Sequence, residues 1–467
     1  MRLYNTLSRQ VDEFTPLNPP QATIYTCGPT VYDYAHIGHW FTYVRADTLV
    51  RTLKANNYKT NWVMNITDVG HLVGDSDEGE DKLQAGARRE GKTAWEIADF
   101  YTQDFLKSMK QLHISDPNHI VKATDHIPEQ IDLVRRLEAK GYTYIIDDGV
   151  YYDTSKFPHY ADFARLDLDE QQAGARVNFN RQKRNVSDFA LWKFSPKDAK
   201  RDMEWDSPWG KGFPGWHIEC SAMSMKYLGD TLDIHTGGID HVPIHHTNEI
   251  AQSEAATGKR FANYWMHSNH VTVNGEKISK SLGNGIRLDE ITAKGITPEA
   301  VRLHVLESHY RSQSKFSWES LTAAQNRLRD LRAMAVLRWQ APQTTIDSGT
   351  FALLDVPLQL IERLSDDLDT PRALAYLSQV STQLQAVLIE RDMVDHFEAM
   401  LQKIDDLLGL NLMAEADITD EQKHLMSERL KARASKDWAT ADSMRAQLLE
   451  QGIVVRDIPN GAIWSRL

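Results

Sequence analysis

Apolar residues fall into two regimes along this chain. In the first part they gather in short buried-looking runs; after about residue 285 they spread to helical spacing. Ala22-Thr23-Ile24-Tyr25-Thr26-Cys27 reads as a strand that Gly28-Pro29 stops. A helix then runs from Ala35-His36 to about Ala55, with Val44, Leu49, Val50 and Leu53 at helical spacing. Asn61 to Ile66 is the next strand. Strand, helix, strand at this spacing is a βαβ unit and predicts a parallel sheet, which a second αβ stretch around 215–275 extends. Between them, 116–205 reads as an insertion with small structure of its own.

Segments 297–310, 317–338, 351–366, 370–391 and 395–409 read as amphipathic helices, hence a bundle. Linkers fall at Ala341–Thr345 and Met413–Asp420. The end, 421–467, combines two helices with a strand at Val454-Val455 and an Asn460-Gly461 turn. The expected class is α/β: a Rossmann-like parallel-sheet domain with an insertion, then a helical bundle and a small mixed α/β tail. The expected boundaries are 1–115, 116–205, 206–284, 285–340, 341–412 and 413–467.

A chain of 467 residues is too long for one core, which agrees with this division. A net charge of −12 argues against broad nonspecific binding of nucleic acid, yet 53 lysines and arginines leave room for a local basic face. No apolar run is long enough to span a bilayer, and Met1-Arg2-Leu3-Tyr4 does not open a signal peptide. The expectation is a cytoplasmic protein with no membrane association, and a monomer. The only cysteines are Cys27 and Cys220. Buried thiols, a metal site or a catalytic role remain open for them, and one disulfide in so long a chain is disfavoured.

Gly86-Ala87-Arg88-Arg89-Glu90-Gly91-Lys92-Thr93 satisfies the P-loop pattern. It lacks a buried strand before it, and Ala-Arg-Arg-Glu favours helix, so no P-loop is expected. The acidic stretch Asp75 to Asp81 reads as a solvated loop. His36-Ile37-Gly38-His39 is better placed. It opens a helix after the first strand, where free N–H groups and the dipole favour an anion. Its histidines, three apart, share a face, and Gly38 lets a ligand approach the backbone. Such histidines can donate to phosphate oxygens during phosphoryl or adenylyl transfer, although a metal pair or two surface histidines fit the tetrapeptide too. Lys277-Ile278-Ser279-Lys280-Ser281, followed by Leu-Gly-Asn-Gly, suits a mobile loop over a polyphosphate, although taken alone an exposed basic loop accounts for it better.

The two motifs in this order, on either side of an αβ region, resemble the signatures of the class I aminoacyl-tRNA synthetases. The resemblance implies that His36, Gly38, His39, Lys277 and Lys280 bind ATP with Mg²⁺, the histidines and lysines stabilising adenylation. Asp240, in Gly237-Gly238-Ile239-Asp240, matches a position facing the ATP ribose.

Within that family the chain is most similar to the cysteinyl branch. Cys27 to His39 is close to that branch's first signature, Gly215-Trp216-His217-Ile218-Glu219-Cys220-Ser221-Ala222-Met223 to its second, and Asp233-Ile234-His235 with His245-His246-Thr247-Asn248-Glu249-Ile250 to its third. Carried over, Cys27, Cys220, His245 and Glu249 bind one Zn²⁺, while Gly28, Thr67 and Trp216 contact L-cysteine, with core packing an equal alternative for Trp216. The chemistry fits independently: His245 and Glu249 are four apart on one helical face, and two thiolates, an imidazole and a carboxylate suit zinc. The substrate thiolate is a soft ligand and a serine hydroxyl is not, so no editing domain is needed.

The resemblance covers nearly the whole chain and implies tRNA(Cys) as partner. The tail around Ala434 to Asp442 resembles the anticodon-reading end, with Arg429, Lys431, Arg433 and Lys436 as candidate phosphate contacts and Trp438 or Trp464 as candidate stacking rings. Three departures stand out: Gly70 to Gly79 intervenes before Glu80-Asp81-Lys82, Thr247 replaces the usual glutamate, and Ile239 replaces the usual serine. The expected reaction is ATP-dependent activation of cysteine and its transfer to the 3′ end of tRNA(Cys). Rival readings are a cysteine ligase acting on an amino-sugar inositol, which the anticodon-like tail disfavours, and a noncatalytic paralogue, which the intact histidine and lysine pairs disfavour. A methionyl enzyme with a four-cysteine zinc knuckle is excluded by the cysteine count.

Overall fold

The structure is a computed structural model that describes residues 1–70, 81–167, 180–196, 201–278, 282–341, 353–459 and 461–467. Its centre is a five-stranded, all-parallel sheet: β1 (Gln21–Thr26), β2 (Lys59–Ile66), β3 (His119–Lys122), β4 (Leu232–Gly238) and β5 (Ala262–Ser268). The spatial order is β3-β2-β1-β4-β5. Ile24 is in register with Trp62 on one side and Ile234 on the other, and all three are buried. Strands covered on both faces read as continuous apolar runs, which explains why β1 and β2 were legible as such. The order reverses between β1 and β4, neighbours separated by some 200 residues of chain. In open parallel sheets the crevice beyond the strand ends at such a reversal is where ligands bind.

Three helices frame that crevice. α1 (Ile37–Ala55) crosses from β1 to β2. α2 (Trp216–Leu228) starts after Gly215 and precedes β4. α3 (Thr247–Thr257) joins β4 to β5, preceded by a π-helical turn at Val242–His246 and closed by Gly258 at φ 74°. A widened turn of this kind shifts side-chain direction and recurs at functional sites.

The insertion forms an antiparallel sheet of Thr143–Ile146, Gly149–Tyr152, Phe189–Phe194 and Gly212–Pro214. Beyond β5, Val271–Val273 pairs antiparallel with Glu276–Lys277 and parallel with Ser314–Phe316. Helices Pro298–Leu306, Trp318–Ala335, Asp355–Leu364, Thr370–Leu384 and Val394–Leu408 follow. The tail has helices Asp420–Ala434 and Trp438–Glu450 and a hairpin of Ile453–Ile458 with Gly461–Arg466.

Several helices are shorter than their apolar periodicity suggests. The segment expected over 297–310 stops at Leu306, because the chain must turn to deliver Ser314–Phe316 to Val271–Val273. That expected over 370–391 stops at Leu384 and resumes as a 3₁₀ turn at Arg391–Met393. The P-loop-like stretch holds no phosphate loop: Gly86 lies inside helix Lys82–Glu90, Gly91 caps it at φ 66°, and Thr93 with Glu96 forms the capping box of Ala94–Gln111. Of the expected solvated acidic loop, residues 75–80 lie outside the described residues, and Asp81 is instead buried as the N-cap of Lys82–Glu90.

Candidate metal and nucleotide site

Cys27 is the first residue past β1, its amide donating to the Thr236 carbonyl of β4 at 3.1 Å. This bond seats the thiol at the reversal point. Cys220 reaches it from α2, with the two sulfurs 4.0 Å apart. From α3 and the π turn come Glu249 and His245, with Nε2 of the histidine 3.1 Å from Oε1 of the carboxylate. The same oxygen lies 3.7 Å from the Cys27 sulfur. Ligand atoms of Cys27, Cys220, His245 and Glu249 all lie within 4.8 Å of one another, and all four residues are buried.

The four groups bear strongly on one another's protonation. Burial pushes the Cys27 thiol well above its usual range, and the neighbouring Cys220 and Glu249 add to the rise. Cys220 is drawn down to about 7 by the hydrogen bond from Cys27. Burial opposes charge on His245, yet Glu249 and Cys220 hold it up at about 10. Two sulfurs, a carboxylate and an imidazole packed this closely call for positive charge among them, and a soft-tolerant tetrahedral dication fits the donor set.

A second set, Cys27, His235, His246 and Glu249, meets the same distance limit and shares two of its members. His235 Nε2 bonds Glu249 Oε2 at 2.8 Å, and His246 Nε2 lies 3.4 Å from the Cys27 sulfur. The set with Cys220 offers two thiols and is the better match to a thiophilic ion; His235 then orients Glu249 from behind. His217 backs His245 in the same way, the two Nδ1 atoms 2.9 Å apart.

Above the cluster opens a cleft of about 750 Å³. Its floor includes Gly28, Thr67 and Trp216 beside the cysteines. A Cβ on Gly28 would sit 1.6 Å from the Asn65 carbonyl oxygen, so only glycine fits, and the Gly28 amide donates to Asn65 Oδ1 at 2.8 Å. Thr67 donates to the buried Glu219 at 3.0 Å, and the Trp216 ring lies 4.7 Å from that of His245.

Its other end is built on the start of α1. His36 is the N-cap: its Nδ1 accepts from the Gly38 amide at 3.1 Å, and His39 Nδ1 accepts from the His36 amide at 3.0 Å. Both Nδ1 atoms are therefore acceptors, so each neutral ring carries its proton on Nε2. The rings stack 3.9 Å apart, and burial, with His36 beside it, depresses His39 to about 3. A Cβ on Gly38 would meet His36 Cε1 at 2.9 Å. Asp240 and Lys277 are both exposed and line this end. Lys280 lies outside the described residues.

Residues 13–326 match the family model described as tRNA synthetases class I (C) catalytic domain, and residues 415–464 that of the cysteinyl-tRNA ligase anticodon binding domain. The chain is 47 % identical to Cysteine--tRNA ligase 1 of Burkholderia lata, an alignment covering 99 % of this chain and 96 % of the relative. It is 42 % identical to Cysteine--tRNA ligase of Treponema denticola, covering all of both. The chain belongs to the cysteinyl-tRNA ligase family. It is thus an aminoacyl-tRNA ligase by descent.

More distant structures share the fold of this family member. Methionyl-tRNA synthetase of Mycobacterium tuberculosis in complex with methionyl-adenylate superposes with a TM-score of 0.56 at 17 % identity, covering 84 % of this chain and 88 % of that one. The LeuRS–tRNA–LeuAMS ternary complex of Agrobacterium radiobacter gives 0.59 at 12 % identity, with 86 % of each chain covered.

Of the residues expected to bind ATP, cysteine or metal, all that the structure describes lie within or against this one cleft. His235, His246 and His217 were not anticipated as site residues; the density of histidines in 235–246 was the available signal. In the tail, Arg429 is buried and gives both its Nη atoms to Asp457 at 2.8 Å, and Trp464 is buried with Val455 in the tail's own core. Both side chains are thus engaged within the tail itself. Trp438 is 55 % exposed, with the Arg433 guanidinium 5.6 Å from its ring. No helix among the described residues is long and apolar enough to cross a membrane.

Proposed function

We propose that the chain is a cysteine–tRNA ligase that activates L-cysteine with ATP and Mg²⁺ and passes the cysteinyl group to the 3′ end of tRNA(Cys). The observation that carries this reading is the convergence of four buried donors, Cys27, Cys220, His245 and Glu249, at the floor of a cleft whose other end is a stacked histidine pair on a helix N-terminus. The donor set suits one Zn²⁺ per chain, and that ion, when bound, offers the substrate thiolate a soft contact that a serine hydroxyl matches poorly.

The chain's own residues supply the rest. Gly28, Thr67 and Trp216 bound the space beside the donors where cysteine lies. His36 and His39 each present an Nε2–H to the α-phosphate oxygens as charge builds on them; His39, neutral near pH 7, acts as donor rather than as cation. Lys277, with Lys280 from the same motif, supplies positive charge, and Asp240 accepts from the ribose. The carboxylate of cysteine attacks the α-phosphorus, pyrophosphate leaves, and a ribose hydroxyl of the terminal adenosine then attacks the activated carbonyl.

In this reading 1–115 and 206–284 are the catalytic halves, 116–205 the insertion, 285–340 and 341–412 the stem-contact and bundle segments, and 413–467 the anticodon module. A cytoplasmic monomer completes it. The test is charging of unfractionated tRNA with labelled amino acids and ATP. Charging with cysteine and not serine supports the substrate, the tRNA partner and selection at the metal site together. Pyrophosphate exchange without charging points to a ligase acting on another acceptor, and no activity overturns the reading.

A further inference from the structure

Between helices Asp355–Leu364 and Thr370–Leu384 the chain takes up two consecutive left-handed conformations: Asp367 at φ 57°, which its type tolerates, and Leu368 at φ 54°, which its type disfavours. Such a leucine persists only where the surroundings hold it. What the strain achieves is the placement of one buried carboxylate. Asp367 Oδ1 accepts from the Tyr310 hydroxyl at 2.5 Å and from the Tyr4 amide at 2.8 Å. Its Oδ2 accepts from Arg311 Nε at 2.7 Å and lies 2.6 Å from Nη2.

Tyr310 and Arg311 in turn hold a cleft residue by their backbones. The Tyr310 carbonyl accepts from the Asn269 amide at 2.8 Å, and the Arg311 carbonyl accepts from Asn269 Nδ2 at 2.8 Å. Asn269 and His270 line the cleft just past β5, and they lead directly into Val271–Val273, the strand that pairs with the strand bearing Lys277. This wall therefore continues into the segment that carries Lys277.

We infer that Asp367 is a positioning residue for the nucleotide: through Tyr310 and Arg311 it fixes the Asn269–His270 wall against which ATP lies. The inference deepens the ligase reading and rests on it only for the nucleotide's place in the cleft. Asp367 touches no substrate, so its loss acts on ATP and leaves cysteine recognition in place.

The test uses the full-length chain with Asp367→Asn, which keeps the shape and removes the charge. Labelled ATP is titrated by equilibrium dialysis without amino acid, and cysteine-dependent pyrophosphate exchange is measured alongside. The expected result is ATP binding weakened about tenfold, the scale of one charge-assisted hydrogen bond, with the KM for cysteine unchanged. Wild-type ATP affinity in Asp367→Asn overturns the inference, as does a parallel loss of ATP and cysteine affinity. Should Asp367→Asn fail to fold, Arg311→Lys and Tyr310→Phe replace it, and wild-type ATP affinity in both overturns the inference equally. A wild-type chain that binds ATP but shows no cysteine-dependent exchange refutes the ligase reading alone, because dialysis still decides the role of Asp367.

Discussion

Glu249 is the residue whose neutral isostere tests the metal site most directly. It is fully buried, with Oε2 accepting from His235 Nε2 at 2.8 Å and Oε1 3.1 Å from His245 Nε2. In Glu249→Gln the shape survives, but one oxygen becomes an NH₂ that must face a ring nitrogen already acting as donor. Losing one charge-assisted bond and stranding one buried donor together cost about 3–5 kcal/mol. The metal affinity falls further, because one anion of the donor set is gone. Removing partners merely behind a metal ligand costs roughly 10–100-fold, so losing the ligand itself must cost more than about 100-fold. The assay is zinc content after dialysis against graded chelator, with thermal unfolding on the same samples. Glu254→Gln, on the same helix and only part-buried, is the control. Zinc retained by Glu249→Gln at wild-type affinity would falsify the four-donor assignment, whatever happens to activity.

Other expectations follow from the same geometry. His39→Gln removes the Nε2–H donor and should slow cysteine-dependent pyrophosphate exchange about 100-fold while leaving zinc content unchanged; loss of zinc instead would mean the helix start supports the metal cluster. Since His39 is held at about 3, it stays neutral down to that pH, and the exchange rate should show no inflection between pH 5 and 8 that His39→Gln removes. Gly28→Ala would place a Cβ 1.6 Å from the Asn65 carbonyl oxygen, so a marked fall in melting temperature is expected, and an unchanged one would contradict the close approach of β1 and β2 at their ends. Asp47, buried against Arg302 and Arg51, is held at about 2 against an ordinary 3.8. Its folded value is depressed, so its contribution is present above about pH 4 and is lost as pH falls through 2. That contribution is about 2 kcal/mol. Urea midpoints for Asp47→Asn should therefore change less than wild type between pH 5 and 2.5, and equal changes would count against the buried ion pair.

How much was legible in the chain itself depended on whether a residue's neighbours were local. β1, α1 and β2 could be read because continuous apolar runs and helical spacing are properties of adjacent residues, and both His36 and His39 and the pairing of His245 with Glu249 lie within one helical turn. The rejection of the P-loop pattern in Gly86–Thr93 was likewise local: helix propensity and a missing strand settled it. Tertiary structure alone decided the rest. Which of the adjacent His245 and His246 stands with Cys220 depends on the π turn at Val242–His246. The end of the helix at Leu306 answers to a strand 35 residues earlier, Val271–Val273, whose pull no periodicity records. Arg429 and Trp464 looked like surface contacts because nothing beside them in sequence reveals Asp457 or the tail core. Asp367 is the clearest case, since its partners come from residues 4, 310 and 311. Backbone propensity and side-chain period act over a turn or a strand, whereas a buried carboxylate is placed by whichever elements the fold brings around it.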